Sequence, residues 1–283
     1  MSAKNPLFAF FGTSSFATCA LDALEQQGLL PALVVTAPDR PQGRGMKLTP
    51  SPVKEWALAH GIDVSTPTTL TDEQIAAELA NTDWDIFVVA SYGKKLPKNV
   101  LDIPRRGCLN IHPSLLPKFR GPSPFISAIL ADERETGVSI MQMGEAMDTG
   151  PVVAQARIEI MPEDWPLPSS ILSEMLFTEG GNLLAEVMRP WIAGEITPEE
   201  QDENKATYTR KFTDADAHID LGGDVRENLL KIRAFDKGPR AYFLTPENKR
   251  VIITDAEIQD GKLEILKVIP EGKKEMPYSD FKR

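Results

Sequence analysis

Residues 7–11, 32–36, 86–90 and 108–111 are short, continuous apolar runs, and together they constrain the fold more than any other feature of the chain. Each is too short for a typical helix and, apart from Thr36 and Asn110, apolar rather than alternating, as a strand covered on both faces must be. Helical stretches separate them. Ser14 or Ser15 can cap a helix bearing Phe16, Ala20, Leu21 and Leu24, and further stretches lie near 53–60 and 72–80. Strands alternating with helices predict an α/β fold, a doubly wound, mostly parallel sheet with helices on both faces. Such sheets bind ligands beyond the carboxyl ends of their strands.

The last of these runs ends in Asn110-Ile111-His112-Pro113-Ser114. Side chains two apart on a strand point the same way, so Asn110 and His112 leave the strand end together. An amide donor beside an imidazole that exchanges protons near neutral pH suits acyl transfer to an amine, given a carboxylate to orient the ring. Asp148, in Asp148-Thr149-Gly150, supplies one. It lies between two alternating segments, 138–143 and 152–160, which read as half-buried strands. In this reading Asn110 and His112 stabilise an oxyanion, His112 or a water takes the amine proton, and Asp148 holds the imidazole and raises its pKa. Gly12-Thr13-Ser14-Ser15 lacks the spaced glycines of a dinucleotide site.

Residues 114–124 carry Pro117, Pro122 and Pro124 with Gly121, and predict a stiff, shaped loop. With the Asn-x-His strand end and Asp-Thr-Gly, the string His-Pro-Ser-Leu-Leu-Pro followed by Arg120-Gly121 resembles the formyltransferases that use 10-formyltetrahydrofolate. The resemblance implies that Ser114, Leu115, Leu116, Pro117 and Gly121 contact the folate. Residues 38–54, from Pro38-Asp39-Arg40 to Val53-Lys54, look like the basic insertion of those members that formylate methionyl initiator tRNA. Arg40, Arg44 and Lys47 are then the residues meeting the tRNA acceptor arm. The segment has no apolar periodicity, so a mobile loop is expected there. Ile126, Gly144 and Ala146 depart from the family pattern.

Nothing in the composition argues against a globular enzyme. The chain has 283 residues, 42% of them hydrophobic, enough for two domains with packed cores. Neither a run of about 18 apolar residues nor a signal-like start is visible, so a cytoplasmic location without membrane contact is expected. Cys19 and Cys108 cannot form a disulfide framework and have no metal-ligand spacing, and the chemistry calls for no metal. The net charge of −10 argues against broad nucleic-acid binding, but it is uneven. Residues 206–283 hold 15 Lys or Arg against 14 Asp or Glu, whereas residues 1–205 hold 16 against 27.

A helix near 169–188 closes a catalytic domain placed at 1–189, with a Pro-, Gly- and acid-rich linker at 190–208. Beyond it, a helix near 224–234 and strands at 240–244, 250–258 and 262–269 predict a small antiparallel β region. The resemblance implies that 209–283 is an OB-like barrel that binds tRNA, in a monomeric protein. Because every pocket motif precedes residue 205, removing the chain beyond it is expected to spare the folate site. Two other readings stay open. A hydrolase passing the formyl group to water could use the same three residues, and a silent folate- or RNA-binding protein could keep the fold.

Overall fold

A computed structural model describes residues 5–42, 45–71 and 73–282. Its strands, in chain order, are β1 (Phe8–Gly12), β2 (Leu33–Val35), β3 (Arg40–Gln42), β4 (Lys47–Thr49), β5 (Asp63–Ser65), β6 (Ile86–Ala90), β7 (Cys108–His112), β8 (Thr136–Gln142), β9 (Val152–Ile158), β10 (Tyr242–Leu244), β11 (Arg250–Gln259), β12 (Lys262–Pro270) and β13 (Met276–Pro277). The α-helices are α1 (Ser15–Gln26), α2 (Pro52–Ala59), α3 (Glu73–Ala80), α4 (Lys98–Leu101), α5 (Pro124–Leu130), α6 (Ser169–Ala193), α7 (Val225–Ala234) and α8 (Tyr278–Phe281). Contacts group the chain into two units, Met1–Gly121 with Gly137–Ile158 and Glu174–Tyr208, and Pro122–Thr136 with Glu159–Ser173 and Thr209–Arg283.

The first unit is built on a seven-stranded sheet in the order β5-β2-β1-β6-β7-β8-β9. The pairs from β5 to β7 are parallel, and β8 runs antiparallel to β7. This is the mixed α/β sheet expected from the apolar runs. Strands β1 and β6 are buried along their whole length because helices cover both faces. From β1 the chain winds outward through β2 to β5, then returns to β6 and winds the other way. The strand order therefore reverses between β1 and β6, and the ligand crevice of such a sheet opens at the carboxyl ends there. The loops leaving those ends are knitted together: Thr13 N donates to Ser91 O at 3.2 Å and Thr13 Oγ1 to Tyr92 O at 3.2 Å. Ser14 takes the N-cap position of α1, but its hydroxyl donates to Ser91 Oγ at 2.8 Å instead of capping the helix.

Helix α6 packs so closely on β7 that a Cβ on Gly180 would come within 2.3 Å of Ile111 Cγ2, so glycine is required at that point of approach. The helix also runs past Pro190, where the sequence suggests its end. Proline removes a helical hydrogen bond and normally breaks a helix, at about 3 kcal/mol. Here the last turn is held by tertiary bonds. Trp191 Nε1 donates to Arg106 O at 3.0 Å, and Arg106 Nε donates to Ile192 O at 2.7 Å. Gly194, with φ 78°, then ends the helix in the left-handed conformation usual for such a stop.

Residues 38–50 also differ from expectation. On either side of positions 43–44, β3 and β4 pair antiparallel through Arg40 with Thr49, Pro41 with Leu48 and Gln42 with Lys47. The three-rung ladder carries no apolar alternation, and so left no period-2 signal. Ion pairing of Lys54 with Asp39 at 2.7 Å tethers its base.

The second unit contains the expected antiparallel β region, a four-stranded sheet in the order β10-β11-β12-β13. A bulge between Ile253 and Ala256 bends the long β11–β12 pair. Asp224 caps α7 by accepting from Glu227 N at 2.8 Å, and the helix buries Leu229, Leu230 and Ile232. Asp132 accepts from Trp165 Nε1 at 2.7 Å and from Arg226 Nη2 at 2.6 Å, joining three separate segments of this unit.

Candidate active site

Strand β7 lies inside the sheet, with Asn110 opposite Val89 of β6 and Met141 of β8, and His112 opposite Ser139. The side chain of His112 is therefore enclosed at 3% exposure, while Asn110, on the same strand face, is half-buried.

Two groups flank the imidazole. Nε2 lies 3.1 Å from Phe119 O, and Nδ1 lies 3.8 Å from Asp148 Oδ2. A carbonyl oxygen only accepts, so Nε2 carries the hydrogen and the Nδ1 lone pair of the neutral ring points to the Asp148 side. The group that orients the ring is thus the Phe119 carbonyl. This differs from the role expected of Asp148, whose carboxylate sits beyond hydrogen-bond distance. Burial lowers the pKa of His112, the nearby Asp148 charge raises it and the Phe119 bond raises it less, and the outcome is a pKa below the ordinary 6.5. Asp148 does push upward, as expected, but desolvation wins. The ring is neutral at pH 7, a base at Nδ1 whose protonated form faces a carboxylate.

Asp148 occupies a left-handed turn with φ 56°, a conformation that costs a non-glycine residue about 1 kcal/mol. Its Oδ2 accepts from Gly121 N at 2.7 Å, and its backbone oxygen accepts from Gln201 Nε2 at 2.9 Å. The same Nε2 donates to Gly150 O at 2.6 Å. A Cβ on Gly150 would fall 1.8 Å from Gln142 O, so only glycine lets the turn close on β8. The expected carboxylate thus reaches His112 on a turn anchored at both its backbone and its side chain.

The segment predicted as a loop over 114–124 runs as one until Pro124 opens α5, and the buried Ser114 and Ser139 with the exposed Gln155 hold its first half. Ser139 Oγ donates to Ser114 O at 2.6 Å and accepts from Leu116 N at 3.0 Å and Gln155 Nε2 at 2.8 Å. Gln155 also donates to Leu116 O at 2.8 Å, and Ser114 Oγ donates to Lys118 O at 2.7 Å. Ser114 and Leu116 are buried, while Leu115, Pro117 and Gly121 are partly exposed. Among the five residues that the resemblance assigns to the formyl donor, Gly121 already has its N–H engaged by Asp148.

The second half of the loop is clasped by residues 199–208, the stretch read from sequence as linker. Thr207 accepts from Phe119 N through Oγ1 at 2.8 Å and from Arg120 N through its carbonyl at 2.8 Å, and its own N–H donates to Pro117 O at 3.2 Å. Phe119, with φ 60°, is thereby held in the left-handed conformation that turns its carbonyl to His112. Arg120, part of the string that carries the family resemblance, is fully buried. Its guanidinium donates to Glu203 in bidentate fashion at 2.9 and 2.7 Å, to Tyr208 Oη at 3.0 Å and to Gln201 Oε1 at 3.0 Å. These hydrogen bonds raise the pKa of Arg120 and lower that of Glu203, each chiefly through the other. A cut at residue 205 would therefore remove two partners of the loop, Thr207 and Tyr208, which the expectation that it spares the folate site did not take into account.

Asn110, His112, Asp148 and the loop 114–121 converge in one unit. The cations assigned to RNA fall elsewhere within it. Arg40 and Lys47 are exposed on the β3–β4 hairpin, and Arg44 lies outside the described residues. Arg40 is near enough to Lys94 that its charge, after burial, lowers the lysine's pKa. Sequence reasoning missed the Phe119 carbonyl, Ser139, Gln155, Gln201 and Thr207. Gln201 and Thr207 lie in the stretch read as linker, where nothing in the composition marks them.

The model of the Formyl transferase family matches residues 4–185. Methionyl-tRNA formyltransferase of Aromatoleum aromaticum is 45% identical over 85% of this chain and 75% of its own length. The same enzyme of Thermus thermophilus is 38% identical over 97% of this chain and 95% of its own. A solved structure of HypX from Aquifex aeolicus in complex with tetrahydrofolic acid aligns with a TM-score of 0.67 at 17% identity, over 98% of this chain and 47% of that one.

Proposed function

The chain belongs to the formyl transferase family, among the methionyl-tRNA formyltransferases, and on that premise we propose how its site works. It transfers a formyl group from 10-formyltetrahydrofolate to the α-amino group of methionine on initiator tRNA. The observation that carries this reading is the neutral, buried His112 with Nε2 bonded to Phe119 O and Nδ1 turned to Asp148.

The donor supplies an electrophilic formyl carbon. As the amine nitrogen bonds to it, the carbonyl oxygen gains negative charge, and the bond to the folate nitrogen then breaks. Asn110 donates to that oxygen, a contribution whose loss typically costs ~10²–10³ in rate. His112 cannot share this task through Nε2, since that hydrogen is committed to Phe119 O, so its role is to accept the amine proton at Nδ1. The imidazolium then faces the Asp148 carboxylate and gives its new proton to the folate nitrogen as the bond to the formyl carbon breaks, which restores the neutral ring. Asp148 acts on the charged ring rather than by holding the neutral one.

Ser114, Leu115, Leu116, Pro117 and Gly121 line the folate side, supported by the Ser139 and Gln155 network. Arg40, Arg44 and Lys47 meet tRNA phosphates, and the exposure of Arg40 and Lys47 suits them to it. The C-terminal unit binds the body of the tRNA, supported by its higher share of cations; scaffold likeness alone would not carry this. Among the described residues no helix is long and apolar enough to cross a membrane, and we place the reaction in the cytoplasm, where charged tRNA is found.

The test is incubation with 10-formyltetrahydrofolate, with and without methionyl initiator tRNA, following formylmethionyl-tRNA and free formate. Formyl transfer dependent on the charged tRNA is expected. Formate release without tRNA at a comparable rate would make the protein a hydrolase instead, and neither product would make it a binding protein.

A further inference from the structure

Gln201 belongs to no chemical motif, yet its amide joins the two halves of the site. Nε2 donates to Asp148 O and Gly150 O, at 2.9 and 2.6 Å, and Oε1 accepts from Arg120 Nε at 3.0 Å. The partners fix which end is which, because carbonyls only accept and a guanidinium only donates. The amide thus grips the left-handed turn that carries Asp148 and ties it to the residue beside Gly121, whose N–H holds the Asp148 carboxylate at 2.7 Å. A further backbone pair, Val152 with Glu199 at 2.7 and 2.8 Å, fastens the approach to Gln201 against the start of β9.

From this geometry we propose that Gln201 is a positioning residue for proton transfer, setting the distance between the Asp148 carboxylate and His112 Nδ1. The inference rests on the roles given above to His112 and Asp148. Its logic is one of distance: at 3.8 Å no hydrogen bond joins the pair, and once the ring is protonated charge alone links them, so a small displacement of the turn alters the support given to the imidazolium. Gln201 touches neither substrate nor His112. It acts through Asp148.

Two variants separate this role from simple stability. Gln201→Ala removes all three bonds. Gln201→Glu keeps an acceptor for Arg120, and with it the fold, but loses the donor to Asp148 O and Gly150 O. Both should lower kcat about tenfold with the KM for 10-formyltetrahydrofolate within about twofold. Gln201→Ala, which adds no charge, should also move the acidic limb of the kcat/KM profile to lower pH, in the direction of Asp148→Asn, because weakening the Asp148 charge at His112 lets burial depress its pKa further. Wild-type kcat in Gln201→Glu would locate the residue's work at Arg120 and overturn the proposal. So would an unmoved acidic limb in folded Gln201→Ala. Normal turnover of Asp148→Asn would sink the assignment of Asp148 together with this proposal, whereas a crippled Asp148→Asn beside a fully active Gln201→Ala would sink the positioning role alone.

Discussion

Two loops rich in proline, glycine and cations, residues 114–124 and 38–50, read alike in sequence and are built in opposite ways. In the first, Arg120 is fully buried and bonded to Gln201, Glu203 and Tyr208, more than 80 residues away in the chain. In the second, Arg40 and Lys47 are exposed on a hairpin of three backbone pairs. Loop composition sets the local turns, while distant partners decide whether a cation becomes structure or stays available to a ligand. The first loop presents a carbonyl to the His112 imidazole with little freedom, and the second presents charge.

Substitution at the strand end should produce the largest contrast. Asn110→Ala, His112→Ala and Asp148→Ala should each lower formylation turnover at least ~100-fold with unchanged circular dichroism, since each removes a group to which the proposed mechanism gives a transition-state role. Near-normal turnover in His112→Ala would reduce the clasped loop to a stability device.

Stability should divide the two loops next. Glu203→Ala should clearly lower the urea unfolding midpoint, because it leaves the buried Arg120 guanidinium without its charge partner. Arg40→Ala and Lys47→Ala should stay within about 0.5 kcal/mol of wild type. Equal costs at the two loops would erase the distinction.

A finer cut falls within the clasped loop. Thr207→Val removes the acceptor for Phe119 N and should cost about 1 kcal/mol in the same assay, with a larger proportional effect on kcat than on folate KM. A loss confined to KM would show that Thr207 shapes the folate contacts rather than the Phe119 carbonyl.

What the sequence made legible follows from the range of the interactions. The runs behind β1, β6 and β7 were visible because burial on both faces leaves a continuous apolar signature, and the Asn110 and His112 pair because strand alternation is local. The β3–β4 hairpin left no such trace, since its pairing is carried by backbone groups that every residue shares. The last turn of α6 was hidden because Pro190 signals a stop, and what overrides it is the remote bond from Trp191 to Arg106. The Phe119 carbonyl was illegible for a similar reason, being a backbone atom aimed by a left-handed φ on a residue type that gives no hint of one.

The smallest effect should appear on the hairpin under salt. Arg40→Ala and Lys47→Ala should each flatten the slope of log kcat/KM for methionyl-tRNA against log salt by about 0.7–0.9, with folate KM unchanged. Slopes identical to wild type would remove the hairpin from tRNA recognition.

Most directly, the imidazole nitrogens can be read by 15N NMR, in a chain with only three histidines. His60 serves as an internal contrast, because its Nδ1 lies 2.7 Å from Trp56 O and should carry the hydrogen there. At pH 7 His112 should be neutral with its hydrogen on Nε2, should remain so below pH 6.5, and should titrate at still lower pH in Asp148→Asn. A His112 that is charged at pH 7, or neutral with its hydrogen on Nδ1, would contradict the assignment of Nδ1 as the base.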